Sequence, residues 1–172
     1  MIRKHKKFIR PKKAFDAKRI EEENVIVEKY GLKSKREIWK AKAKLKIIRN
    51  TAKALINEDA EKQEIFLTKL RGLGFNVTTP VDVLALTEED ILKRRLQTVL
   101  LNKKLATTAK GARQLITHKH VSVEGKIVNI PSYMVPIKQE NSIKVLITLN
   151  KTGKPKETIK KPEEIVEEIE NE

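Results

Sequence analysis

Apolar positions recur every three or four residues over the first two thirds of the chain, then shift to every second residue. Ile20, Val27 and Tyr30 predict a helix from about Asp16 to Tyr30, and Gly31 stands where a left-handed cap would close it. Ser34 and Glu37 have capping-box spacing and open a long helix to about Asn57. Along it Ile38, Ala41, Leu45, Ile48, Ala52 and Leu55 form an apolar stripe. Lys42, Lys46, Arg49 and Lys53 form a second stripe about a quarter-turn away. A third helix over 58–71 contributes Phe66, Leu67 and Leu70 to a core and stops at Gly72 and Gly74. Thr79-Pro80 starts a short helix, Val81 to Leu86. Thr87, with Asp90 three residues on, starts another that runs unbroken to about Lys104, its core face being Leu92, Leu96 and Val99. Thr107 or Thr108 caps the next helix, to about His118. Val121 and Val123, the turn Glu124-Gly125, and the return Lys126-Ile127-Val128 then read as a hairpin, with a further strand at Ile143 to Leu149. The expected class is α+β: an N-terminal helical region followed by a small unit of two helices and an antiparallel hairpin or sheet.

Charge changes this picture from a fold to a surface. The 172 residues carry a net +15, distributed unevenly. Residues 1–57 hold +13, 58–90 hold −5, 91–154 hold +11 and 155–172 hold −4. Two basic blocks with an acidic spacer between them suggest two surfaces for a polyanion, since each block repels itself without counter-charge. Residues 1–14 read as a basic arm, disordered in isolation, and 15–90 as a helical domain. Residues 91–150 form the small second domain and 151–172 an acidic tail, with Lys151 to Pro162 as linker. The chain has no cysteine, which excludes a disulfide scaffold, thiolate metal ligands and a cysteine nucleophile. No apolar run approaches the roughly 20 residues of a membrane span. The basic N-terminus lacks the apolar stretch of a secretory signal, and Glu21 to Glu23 arrive too early for a mitochondrial presequence. A soluble cytoplasmic protein is expected, with no membrane partner.

The chemistry concentrates between Arg94 and Pro131. On a helical wheel Lys110, Arg113, Gln114 and Thr117 share one side of the helix that follows Thr108, and Ala109, Ala112, Leu115 and Ile116 face the core. The start of that helix offers free N–H groups and the positive end of its dipole, which suits phosphate. Lys93, Arg94, Arg95, Lys103 and Lys104 come from the preceding helix, and His118, Lys119, His120 and Lys126 from the hairpin side. Lys42, Lys46 and Arg49 along the long helix complete the set expected to meet a nucleic-acid backbone, and Lys35 and Arg36 at its start read either as surface charge or, on the resemblance given next, as RNA contacts. Arginine can fork two bonds onto a phosphate, whereas lysine acts as a point charge. His118 and His120 have no third ligand nearby, so no metal site is assigned, and no cofactor.

KRRLQT (93–98), ARQLITHKH (112–120) and VSVEGKIVNIPSY (121–133) resemble the small RNA-binding domain first described in protein four of the small ribosomal subunit. YGLKSKREIWK (30–40) is similar to the element preceding that domain in the archaeal and eukaryotic branch, so the resemblance covers about residues 8–148. It implies a structural role in the small subunit, with early binding to the 5′ domain of its rRNA. It further implies contact with neighbouring ribosomal proteins, protein five among them, and a position near the channel through which mRNA enters. The sequence departs from the family in three places. It lacks the cysteine cluster of many bacterial members, has Lys119 where a glycine often stands between the two histidines, and has Glu124 where an asparagine usually precedes Gly125.

Two other readings are weaker. An RNA-modifying enzyme would need a catalytic domain of well over about 100 residues. What remains outside the small domain is helical and lysine-rich, without a nucleotide loop, so the chain is read as no enzyme. A general structured-RNA-binding module or a heat-shock-type RNA chaperone would not need the first 57 residues. The aromatic content is only 4%, with Trp39, Phe66 and Phe75 assigned to the core. That favours recognition of shaped, base-paired RNA through phosphates and 2′-hydroxyls over base stacking. Tyr133 is left between capping the sheet and touching a ribose.

Overall fold

The structure is a computed structural model that describes Phe8 and residues 10–146. The acidic tail, the far end of the expected last strand (147–149) and most of residues 1–9 of the basic arm lie outside the described residues. Within the arm, the Lys13 and Ala14 carbonyls accept from the Arg19 guanidinium (3.1 and 2.9 Å), and Phe8 packs on Trp39 with ring centroids 6.1 Å apart.

Helix α1 (Ala17–Tyr30) closes as expected. Gly31 takes φ 57°, and the N–H groups of Gly31 and Leu32 return to Glu28 and Val27. Helix α2 (Arg36–Leu55) is 20 residues long, and Ile38, Ala41, Leu45 and Ala52 of its apolar stripe are buried. Its expected capping box does not form. Lys35 is already helical, and only the Ser34 carbonyl serves the Glu37 N–H. The Glu37 carboxylate is bound instead by the guanidiniums of Arg95 and Arg113, where donor and acceptor are both charged. Helices α3 (Ala60–Gly72) and α4 (Asp82–Ala85) follow. Thr79 and Asp82 anchor this corner together: the Asp82 carboxylate accepts from the Thr78 and Thr79 N–H groups at 3.0 and 2.8 Å, and the Thr79 hydroxyl accepts from the Asp82 N–H at 3.3 Å.

The helix expected to run unbroken from Thr87 to Lys104 is two helices, α5 (Glu88–Lys93) and α6 (Leu96–Asn102). Its start is as expected, with a complete Thr87–Asp90 capping box. The break falls at Arg95, which is extended (φ −72°, ψ 143°). No glycine or proline marks it. A distant segment supplies the cause: Arg95 bridges Met134 in antiparallel fashion, the Leu96 N–H donates to the Tyr133 carbonyl, and the Val135 N–H donates to the Arg94 carbonyl. Backbone groups that a continuous helix would satisfy internally are satisfied across the fold.

Helix α7 (Ala109–Thr117) starts at Thr108, whose hydroxyl accepts from the Gly111 N–H at 3.0 Å. Strand β1 (Val121–Val123) pairs with β2 (Lys126–Ile127) through a two-residue turn in which Glu124 and Gly125 both have positive φ, 50° and 75°. Strand β3 (Ile143–Val145) lies on the other side of β1, giving the order β2-β1-β3, all antiparallel. The short helix α8 (Ile137–Glu140) has no counterpart in the sequence reading.

Two apolar cores result. The first gathers Tyr30, Ile38, Leu45, Leu70, Phe75, Val83 and Leu92 from α1 to α5. The second gathers Leu96, Leu100, Ala112, Ile116, Val121, Val135 and Ile143. The chain passes from one to the other at Arg94–Arg95, where the helix breaks. A side chain such as Ile116, fully buried, contributes about 2 kcal/mol to its core.

Candidate nucleic-acid interface

Helix α7 is the clearest element of the site. Ala112 and Ile116 are fully buried, while Lys110, Gln114, Thr117 and His118 stand on its more open side. Lys104 and Lys119 follow the ends of α6 and α7, and both have left-handed backbones (φ 57° and 64°). Such a conformation costs a non-glycine residue about 1 kcal/mol. Lysine held there, with its ammonium exposed, suits a surface that uses the charge. The same geometry accounts for the glycine often found at the Lys119 position and the asparagine at the Glu124 position. The His118 and His120 rings lie nearly parallel (16°) with centroids 6.2 Å apart. Lys126 projects from β2 in the exposed hairpin. Among the described residues, no group of three or more His, Cys, Asp or Glu could hold a metal ion.

Most of the remaining predicted residues have partners within the protein. Arg95 does not lie on an exposed face, because its side chain is only 7% exposed and donates to Glu37 at 2.5 Å. Arg113 donates to the same carboxylate at 2.9 and 3.3 Å and keeps 23% of its side chain exposed. Burial alone would raise the Glu37 carboxyl. Hydrogen bonds from Arg113 and Arg95, with their charges, outweigh it and hold the group below the usual carboxylate range. Arg94 donates to the Val135 carbonyl (2.8 Å) and to Glu140 (3.1 Å). Lys103 reaches the Glu140 carbonyl and Asn141. Lys93 pairs with Asp90 at 3.0 Å, and Lys42 with Glu88 at 3.4 Å. Arg49 donates to the Leu86 carbonyl, Lys35 to the Ile20 carbonyl, and Arg36 lies over the Phe8 ring. Lys46 is exposed and makes no ion pair among the described residues. It borders, with Arg113, a groove of about 740 Å³ between α2 and the 131–134 segment.

Sequence reasoning missed Gln97 and Gly31 as a pair. Gln97 is 1% exposed, and its amide nitrogen lies 3.0, 3.0 and 2.8 Å from the carbonyls of Tyr30, Gly31 and Ala109. A Cβ on Gly31 would sit 2.8 Å from the Ala109 Cβ, so glycine is required for space as well as for its φ. The YGL and LQT motifs therefore meet and fix the start of α7. The glutamine within KRRLQT was the available signal, since a polar residue inside an apolar helical stripe needs a partner. Tyr133 donates its hydroxyl to Gln139 at 2.6 Å, which ties it to α8.

Two close-packed helices, a tight hairpin and a third antiparallel strand, with cations outward, define an S4 domain, and that family matches residues 94–141. Beyond the domain, the chain is 43% identical over 149 residues to the Small ribosomal subunit protein uS4 of Thermoplasma acidophilum, covering 81% of this chain and 74% of that one. It is 41% identical over 140 residues to uS4 of Methanococcus aeolicus, with 77% and 79% covered. Identity to uS4 of Saccharolobus solfataricus is 38% over 157 residues, with 87% of each chain covered. The chain belongs to the small ribosomal subunit protein uS4 family.

Proposed function

We propose that the protein is a structural component of the small ribosomal subunit that binds small-subunit rRNA. The observation that carries this is the likeness to proteins named for that subunit, which extends from the helical region through the S4 domain rather than covering the domain alone. The residues proposed for phosphate contact are the predicted cations whose side chains have neither an ion pair nor another internal partner among the described residues: Lys46, Lys104, Lys110, Lys119 and Lys126, with Gln114, His118 and His120 as hydrogen-bonding neighbours. Arg113 keeps enough exposure to share its guanidinium between Glu37 and a phosphate. Binding to the 5′ domain early in assembly belongs to the same proposal. So do contacts with protein five and with mRNA near the channel where it enters, a cytoplasmic location in the ribosome, and a role without catalysis.

Titration onto a 5′-domain rRNA fragment and onto a plain RNA duplex of equal length, at several salt concentrations, tests it. A complex that survives high salt with the fragment alone supports shape-specific rRNA recognition. Equal affinities that fall together as salt rises leave only nonspecific counterion release.

A further inference from the structure

The groove between α2 and the 131–134 segment has two properties that a phosphate-binding surface does not need together. Lys40, Lys44 and Lys46 line it together with the apolar Ala43, Ile47 and Met134, and Phe8 and the Glu37–Arg113 pair complete the lining. Ile47 is 67% exposed there, although it lies in the middle of a 20-residue helix. Lys44 approaches the Met134 sulfur and makes no ion pair among the described residues, and burial pushes its ammonium below the usual lysine range. An occupant should therefore bring carboxylates and a short apolar stripe at once.

We propose that residues 163–172 of this chain, EEIVEEIENE, are that occupant, seated in the groove as an acidic amphipathic helix. The segment carries six glutamates and no cation. At helical spacing Ile165, Val166 and Ile169 share one face, and the glutamates cover the rest. The stripe from Ile165 to Ile169 spans about 6 Å along a helix, as do Ala43 and Ile47 on α2, so the two match in length. Other parts of the chain outside the described residues fit poorly: residues 1–7 are cationic and residues 147–162 lack a run of carboxylates. A second copy of this chain would bring another strongly positive surface. The reach is sufficient. Sixteen residues separate Leu146 from Glu163, and a coil of that length has a typical end-to-end distance of about 22 Å. A folded unit of this size has a radius of gyration of about 14 Å. Seated there, the segment neutralises part of the basic block of residues 1–57. If the rRNA reading holds, it also covers Lys46 until RNA displaces it.

The absence of native cysteine allows a direct test on the full chain without RNA. Ile47→Cys is paired with Ile169→Cys, and Ile65→Cys with Ile169→Cys serves as control, since Ile65 is 56% exposed on α3 and borders no part of the groove. Under mild oxidation of dilute protein, the Ile47 pair should close an intramolecular disulfide at least about tenfold faster than the control, because seating raises the effective concentration. Lys40→Glu with Lys44→Glu should return that rate to the control value. Equal rates for the two pairs overturn the proposal. A disulfide formed mainly between molecules makes a second copy the occupant and overturns it too. Equal rates, combined with an rRNA fragment that shields the thiol of the Ile47→Cys protein from alkylation, assign the groove to RNA. Failure of rRNA binding leaves the cross-linking result untouched, so the two readings stand or fall separately.

Discussion

Glu37→Gln is the substitution that probes the join between the two cores most directly. Glu37 sits on α2 in the first core. Its partners Arg95 and Arg113 precede α6 and lie on α7, in the second. Glutamine keeps the shape and removes the charge, leaving Arg95, 7% exposed, as a buried cation with no counter-charge. Breaking a buried pair by removing one partner costs about 3–5 kcal/mol. Arg113 is partly solvated and softens the loss, so about 3 kcal/mol is expected, or a fall in Tm of roughly 6–12 °C for a chain of this size. The dependence on pH supplies a second check. The folded Glu37 pKa lies below its usual 4.5, so its stabilisation is fully present above that value and is lost as pH falls through the lowered one. The difference between wild type and Glu37→Gln should thus be constant from about pH 5 to 8 and shrink below about pH 4. Asp90 and Glu89 also sit below the usual range, so wild-type acid denaturation alone does not isolate Glu37. Thermal and urea melts of both proteins across pH decide it. A Tm change under about 1 °C at pH 7 would refute the claim that this carboxylate holds the two cores together.

Other substitutions separate structural roles from surface ones. Gly31→Ala places a Cβ 2.8 Å from the Ala109 Cβ at φ 57° and should cost about 2–4 kcal/mol by urea melt, through overpacking and backbone strain. Lys119→Gly relieves a left-handed lysine at φ 64°; it should raise stability by about 0.5–1 kcal/mol while lowering rRNA affinity, so the two readouts move in opposite directions. Lys110→Ala should leave the melting curve within about 0.5 kcal/mol of wild type and reduce the slope of log affinity against log salt by roughly 1, as measured by filter binding.

Much of the fold is legible in the sequence because the pattern that encodes it is local. The stripe on α2, the Gly31 stop, the Thr87–Asp90 capping box, the Thr108 cap and the Glu124-Gly125 turn each depend on residues within four positions of one another. What the sequence conceals depends on partners far along the chain. The helix break at Arg95 comes from backbone groups at Tyr133 to Val135, and the fate of Glu37 from guanidiniums 58 and 76 residues away. The site follows the same division. The exposed face of α7 is readable from its wheel. Arg95 stands two residues from Lys93 and looks equivalent to it in sequence, yet one is buried against Glu37 and the other is exposed.

That contrast bears on how a chain so rich in cations folds before it meets RNA. With 38 basic residues against 23 acidic ones, its cations cannot all be paired internally. Three carboxylates stand where a guanidinium is largely withdrawn from solvent. Glu37 serves Arg95 and Arg113 between the two cores, Glu140 serves Arg94 beside the helix break, and Glu23 serves Arg19. Cations left without them are mostly open to solvent, such as Lys110, Lys119 and Lys126, where water supports the charge at little cost. Lys44 departs from that pattern in its setting rather than its exposure, lying against the Met134 sulfur at the edge of the groove with no carboxylate paired to it among the described residues. That departure is why the groove beside it, rather than the open face of α7, is the place to look for an acidic segment.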